Sequence, residues 1–283
     1  MNNFDYRDPE TIEELISILS ENPESMLLAG GTDLINEMKE GKHTPRLVVS
    51  ARKINEMKGI SLDSDGSLNI GAATTLSEVV NSPLVKNFQE AISAAAKTVG
   101  STQVRNRGTI GGNVCHASPA ADTAPVLLAL EAKANVEGPG GQRVLPFTEF
   151  FKGVGKTALQ QGEVLKSISV PAGASGMKCL YFKLGVRKAM EITIASVAVA
   201  VSISEGYCKD IRIALGSVAP VPIRCSRTEG FLIGKKVREA AEEAAQAVKN
   251  ECSPIDDIRA TGEYRREMVG NLLKKALIIL TAD

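Results

Sequence analysis

Histidine is nearly missing from this chain: His43 and His116 are the only two. A histidine-rich metal site is therefore excluded. Cysteine is sparse as well. Cys115, Cys179, Cys208, Cys225 and Cys252 are odd in number, widely spaced and free of any C-x-x-C pair. Neither a disulfide framework nor a zinc or iron–sulfur site is expected from them, and a reducing cytoplasm suits them best. Charge of one sign is lacking, since 33 basic and 33 acidic residues give a formal net charge of +0. This removes the electrostatic basis for general nucleic-acid or anionic-membrane binding. Long hydrophobic runs are also absent. The longest, 195–201, is broken by Ser196 and falls well short of the ~18 apolar residues of a membrane span. The opening MNNFDYRDPE has no basic and apolar leader pattern, so no secretory signal is expected. Chemistry has to come from a bound cofactor or from Lys, Arg, Asp and Glu.

What is present is length and clear punctuation. A chain of 283 residues corresponds to about two domains. Thr11-x-x-Glu14 is a capping box, and Ile12, Leu15, Ile16 and Leu19 share one helix face. Residues 26–29 read as a strand running into Gly30-Gly31. Thr32 and Asp33 stand where they can cap a short helix, 34–39, and 47–49 is another strand. Residues 1–55 are thus a small α/β unit. Further on, 68–72, 132–136 and 164–170 read as strands, and 88–99 and 122–130 as helices. Thr75-x-x-Glu78 is a second capping box, and 137–141 is a hairpin turn. Residues 100–119 have almost no periodicity and read as a long loop, functional or mobile. Residues 171–176 have linker composition. Beyond them come three strands, 181–186, 194–204 and 208–218, the last two joined antiparallel by a turn at Glu205-Gly206. Helices 237–248 and 264–280 follow. The expected fold is α+β. A domain at 1–175 has subdomains 1–55 and 56–175, and a domain at 176–283 has a three-stranded antiparallel sheet and a helical bundle.

Two stretches carry the chemistry. In Leu27-Leu28-Ala29-Gly30-Gly31-Thr32-Asp33-Leu34 a strand ends in two glycines and a helix begins. Glycine lets the backbone approach a ligand, and exposed amides at a helix start favour an anion. A plain tight turn has the same appearance, and the G-x-G-x-x-G dinucleotide fingerprint is not met. In the second stretch, Thr109-Ile110-Gly111-Gly112-Asn113 sets a hydroxyl and an amide beside two glycines. Asp122 lies just beyond, placed either to accept from a ribose hydroxyl or to cap the next helix. Taken together, the two diglycine bends argue for one extended phosphate-bearing ligand held from two sides. Gly153-Val154-Gly155-Lys156-Thr157 imitates the end of a Walker A loop, but its first glycine would fall at Phe150, so ATP binding is not supported.

AGGTDL followed about 80 residues later by TIGGN resembles the FAD-binding subunit of the molybdenum hydroxylases, the flavoprotein shared by xanthine dehydrogenases and carbon monoxide dehydrogenase. The resemblance extends over the chain through Gln103-Val104-Arg105-Asn106, Glu163-Val164-Leu165, Phe182-Lys183 with Arg187, and GSVAPVPIR at 216–224. RKAMEI at 187–192 and PIRC at 222–225 resemble the xanthine-dehydrogenase-like members. The resemblance implies a two-part FAD domain of the vanillyl-alcohol-oxidase/PCMH type and non-covalent FAD. It implies that Leu27 to Leu34 wrap the pyrophosphate and part of the flavin, while Thr109 to Asn113 hold the pyrophosphate from the other side. Asp122 would meet the adenosine ribose, Leu165 the adenine end, and Lys183 the isoalloxazine ring, with Val99 and Gly100 near the flavin. It also implies partners: a molybdopterin-binding large subunit and a 2Fe-2S small subunit that hold the metal cofactors, with NAD or another electron acceptor. A stand-alone reductase or oxidase of the same fold would need an acid over the flavin, for which no residue is a candidate. A non-catalytic subunit with vestigial loops would bind no FAD. The physical side agrees with the resemblance, because backbone amides suit about two pyrophosphate charges on a near-neutral chain. A cation at Lys183 would favour an anionic reduced flavin.

Overall fold

The computed structural model describes residues 2–187 and 190–282. β1 (Asp5–Arg7), α1 (Ile12–Glu21), β2 (Met26–Leu28), α2 (Leu34–Lys39) and β3 (Leu47–Ser50) open the chain. Their sheet is parallel in the order β1-β3-β2, so β2 is an edge strand. α1 starts where the Thr11 side chain accepts from the Glu14 amide, and it buries Ile12, Leu15 and Leu19. Only half of the expected capping box forms there, because the Glu14 carboxylate takes the Glu10 amide instead of that of Thr11. α2 starts without the side-chain cap expected from Asp33.

The next part comprises β4 (Ile60–Leu62), β5 (Leu68–Gly71), α3 (Leu76–Asn81), α4 (Pro83–Lys97), α5 (Thr102–Arg105), α6 (Ile110–Cys115), α7 (Thr123–Ala129), β6 (Lys133–Gly138), β7 (Gly141–Pro146), α8 (Phe147–Phe150), β8 (Phe151–Gly153), β9 (Lys156–Thr157) and β10 (Val164–Val170). Five strands pair antiparallel in the order β4-β5-β10-β6-β7. The Walker-like segment is simply the β8–β9 hairpin. Thr75 and Glu78 form a full capping box at α3. α4 begins five residues before the expected start, because Ser82 caps it and Pro83 fills its first turn. It kinks at Gln89 (φ −162°, ψ 101°), so the helical pattern legible in the sequence starts only beyond the kink. The stretch 100–119 is also corrected: Ser101 and Thr109 cap α5 and α6 within it. Helices of one turn are too short to leave a period in the sequence.

The last part holds β11 (Lys178–Leu184), β12 (Ala195–Ser204), β13 (Tyr207–Gly216), β14 (Ile223–Arg224), α9 (Ser226–Leu232), α10 (Val237–Val248) and α11 (Gly262–Leu280). The sheet has four antiparallel strands, not the expected three. The fourth is two residues long, so it left no alternation to read. β12 explains how the two halves join. Its Val197, Val199 and Val201 pack with Leu273, Leu277 and Val248 of the helices. Its Ala198 and Ala200 face the other way, into the core built by the preceding part of the chain. The small alanines let α7 lie close on that face.

The expected linker at 171–176 is a packed 3-10 turn, Ala172–Gly176. Gln89 pins it: the buried amide donates from Nε2 to the carbonyls of Ala174 and Met177, each at 3.0 Å. Among the described residues no helix is long and apolar enough to cross a membrane. Gln89→Ala strands those two carbonyls and should lower unfolding free energy by about 2 kcal/mol; urea denaturation of the whole chain checks this.

Candidate cofactor site

The two diglycine bends meet. A methyl group added at Gly30 would lie 2.2 Å from the Arg107 carbonyl oxygen and 2.7 Å from the Gly108 Cα. One added at Gly108 would lie 3.4 Å from Thr32 Oγ1, and one at Gly112 would lie 3.9 Å from the Ala29 Cβ. The bend after β2 therefore sits directly on the segment leading into α6.

The bends differ in what they offer. The backbone N–H groups of Gly30, Gly31, Thr32, Asp33 and Leu34 donate to no described residue. Gly31 takes φ +77°, a conformation glycine adopts without strain. Leu27 and Leu28 before it are only half-buried. Five successive free amides at a strand-to-helix junction could hold an anion. In the second bend the amides are occupied. Ile110 N–H donates to the Thr74 carbonyl at 3.0 Å and Gly111 N–H to the Ala72 carbonyl at 2.9 Å. Gly112 N–H donates to Thr109 Oγ1 at 3.0 Å and Asn113 N–H to the Thr109 carbonyl at 3.0 Å. The expected amide donors of Thr109–Asn113 are thus mostly engaged inside the protein. Gly111 is needed for close packing, since a methyl there would come 2.6 Å from Ala72. The group this bend presents is Asn113. Its Oδ1 accepts from Thr123 Oγ1 at 2.6 Å, and its Nδ2 has no partner among the described residues.

Thr123 leads to Asp122. Asp122 and Lys183 form one ion pair at 2.7 Å, with side chains 6% and 11% exposed. Lys183 Nζ also donates to the carbonyls of Thr98 (3.1 Å) and Glu191 (3.0 Å), so all three of its hydrogens are engaged. Asp122 Oδ1 accepts from Tyr181 Oη at 2.7 Å and from Thr193 Oγ1 at 2.6 Å. Burial, with the Asp122 carboxylate beside it, pushes the Tyr181 hydroxyl well above its usual range, and it stays a donor. Asp122 makes no side-chain cap on α7. Val99 and Gly100 adjoin this pair: the Gly100 carbonyl accepts from Met190 N–H at 3.4 Å, and the Val99 carbonyl from Arg105 Nη1 at 3.0 Å. Leu165 is 3% exposed in the core. The next residue, Lys166, accepts the Ala72 amide through its carbonyl, so this strand supports the second bend from beneath. Thr98, Thr193 and the Tyr181 hydroxyl join the Asp122–Lys183 pair. For Tyr181 the signal was its i, i+2 spacing to Lys183, which sets both on one strand face. Of the RKAMEI segment, Lys188 and Ala189 lie outside the described residues. A cavity of about 380 Å³ lined by Glu131, Asp210 and Arg212 lies apart from both bends and shares none of their residues.

Residues 2–173 match the family described as "FAD binding domain in molybdopterin dehydrogenase", and residues 180–280 match "CO dehydrogenase flavoprotein C-terminal domain". The carbon monoxide dehydrogenase medium chain of Hydrogenophaga pseudoflava is 36% identical over 276 residues, covering 97% of this chain and 96% of that one. The xanthine dehydrogenase FAD-binding subunit of Escherichia coli O157:H7 is 31% identical over 274 residues, covering 96% and 94%. Among solved structures, a chain of the Hydrogenophaga pseudoflava carbon monoxide dehydrogenase that lacks the Mo-pyranopterin moiety superposes with TM-score 0.94 at 35% identity, covering 99% of both chains. A chain of quinoline 2-oxidoreductase from Pseudomonas putida 86 superposes with TM-score 0.93 at 28% identity, covering 99% of this chain and 97% of that one. The protein is an FAD-binding oxidoreductase subunit. It belongs to the family of molybdopterin dehydrogenase FAD-binding domains, with the flavoprotein C-terminal domain of carbon monoxide dehydrogenase.

Gly30→Ala should lower stability by about 2 kcal/mol, because its methyl meets backbone and not a yielding side chain; thermal unfolding without added cofactor checks it. Lys183→Met should cost about 3–5 kcal/mol by leaving Asp122 buried without its cation. The double variant Lys183→Met/Asp122→Asn should recover part of that loss in the same urea titration.

Proposed function

We propose that this chain holds FAD between its two diglycine bends and serves as the electron-transfer subunit of a molybdenum hydroxylase of the xanthine dehydrogenase type. In this reading electrons arrive from 2Fe-2S clusters on a small partner subunit. They leave to NAD or another acceptor, and hydroxylation of a heteroaromatic substrate takes place on a molybdopterin-binding large subunit in the cytoplasm. The observation that carries it is the contact of Gly30 with Arg107 and Gly108, which sets five free amides beside the second bend.

When bound, FAD supplies the exchange between one-electron and two-electron chemistry. Everything else falls to this chain's own residues. Residues Leu27 to Leu34 would hold the pyrophosphate, with the Gly30–Leu34 amides facing its charge and Leu27 and Leu28 supplying half-buried apolar surface. Thr109, Ile110, Gly111, Gly112 and Asn113 would close the other side, chiefly through the Asn113 side-chain amide. Asp122, Lys183, Val99 and Gly100 would line the continuation of the cleft as one neutral, rigid wall, and Leu165 would back it. Neutral walls and backbone donors bind an anion without a standing positive charge, which fits the equal counts of acid and base. The division into 1–175 and 176–283 is part of the same proposal. It is supported by the separate core that α10 and α11 build on the outer face of β12.

The test is direct. The purified chain, titrated with FAD, should bind one equivalent, with quenched flavin fluorescence and an absorption band near ~450 nm. Co-expressed with its genomic neighbours, it should copurify with chains that contain molybdenum and iron–sulfur clusters. A chain that folds and takes up no FAD would sink the proposal.

A further inference from the structure

Both histidines of the chain meet a single carboxylate. Glu37 lies on α2, just after the first bend. Its Oε1 is 3.1 Å from His116 Nε2, and its Oε2 is 3.7 Å from His43 Nε2. His116 is the C-terminal cap residue of α6, just after the second bend. The contact therefore ties together the two helices that the bends feed. Between 26–43 and 99–123 it is the only side-chain hydrogen bond or ion pair among the described residues. Van der Waals packing around Gly30, Gly108 and Gly112 does the rest. α2 has little else to fix it. It is 6 residues long, Met38 is its one buried residue, and its start lacks a side-chain cap. The far end of the amide run, Thr32 to Leu34, leads straight into that helix. A shift of α2 therefore moves the amides against the second bend.

We infer that Glu37 and His116 form a clasp that sets the separation of the two bends, and so positions the amide cradle for a dinucleotide diphosphate. This rests on the cleft being the FAD site. Glu37 and His116 are positioning residues: they act through α2 and α6. The charged groups near Glu37 are His116 on the α6 side, and His43 and Lys42 after α2; Lys42 is itself paired with Glu40 at 2.7 Å. The side chains of His116 and Glu37 are 38% and 24% exposed, so neutral amide replacements at either position leave the core untouched.

FAD titration of the full chain at one fixed neutral pH tests this, with Glu37→Gln, His116→Gln and the double variant. Each single variant is expected to bind FAD about two- to fivefold more weakly, with unchanged urea midpoints. The double variant should be no weaker than either single one, as for two ends of one contact. The exchanged pair, Glu37→His with His116→Glu, should recover wild-type affinity, since the contact is restored. If Glu37→Gln keeps the wild-type affinity, the clasp is overturned. If the folded wild type takes up no FAD, the reading of the cleft falls first and the clasp with it. His43→Gln, at the longer distance, should stay within about twofold of wild type.

Discussion

One contact organises the cleft: Gly30 lies against the backbone of Arg107 and Gly108. No side chain fits there, because a single carbon would stand 2.2 Å from a carbonyl oxygen. Two segments nearly eighty residues apart are thereby brought to backbone distance, and the amides that follow Gly30 are left pointing away from any protein acceptor. A buried or half-buried N–H without a partner is costly in a finished structure. Five in succession are tolerable where solvent or an anion completes them. Close packing and anion cradle are thus two results of one glycine.

The second organising element is the ion pair of Asp122 with Lys183. It draws on the two later parts of the fold. Asp122 precedes α7, Lys183 and Tyr181 come from β11, Thr193 from the segment before β12, and Thr98 from the end of α4. β12 makes this possible, since its alanine face lets α7 close on the sheet while its valine face takes the helices. On the far side Arg265, 1% exposed, donates to the Ile194 carbonyl at 2.6 Å, and Arg259 donates to the Thr193 carbonyl at 3.4 Å. The strand that carries Thr193 to Asp122 is therefore held from behind by α11 and the loop before it.

Much of this could be read from residue order. α2, β10 and α10 fall where glycine punctuation, strand patterns and helix periods place them, because those signals are local. Both diglycine bends could be picked out because Gly-Gly beside Thr, Asp or Asn is rare outside turns and ligand loops. What stayed hidden was non-local. Nothing in TIGGN says that Thr74 and Ala72 on another segment take up its amides. Nothing near Asp122 says that Lys183 will face it sixty-one residues later. The capping role proposed for Asp33 failed because α2 opens directly from a tight bend, which leaves its first amides free. β14 was missed because pairing with β13, not its own two residues, makes it a strand.

The same reasoning accounts for the chain's composition. A subunit that held an anionic cofactor through backbone donors would need no basic surface, and this one has none in net terms. The buried Asp122 and Lys183 are paired with each other. Its thiols are out of play as well: burial raises Cys115 and Cys179 to about 12, too high to give a thiolate near neutral pH. Placement of the FAD that its family binds is a geometric requirement, and the proposed site would meet it with glycines that allow contact, a buried ion pair and short helices on either side of the two bends.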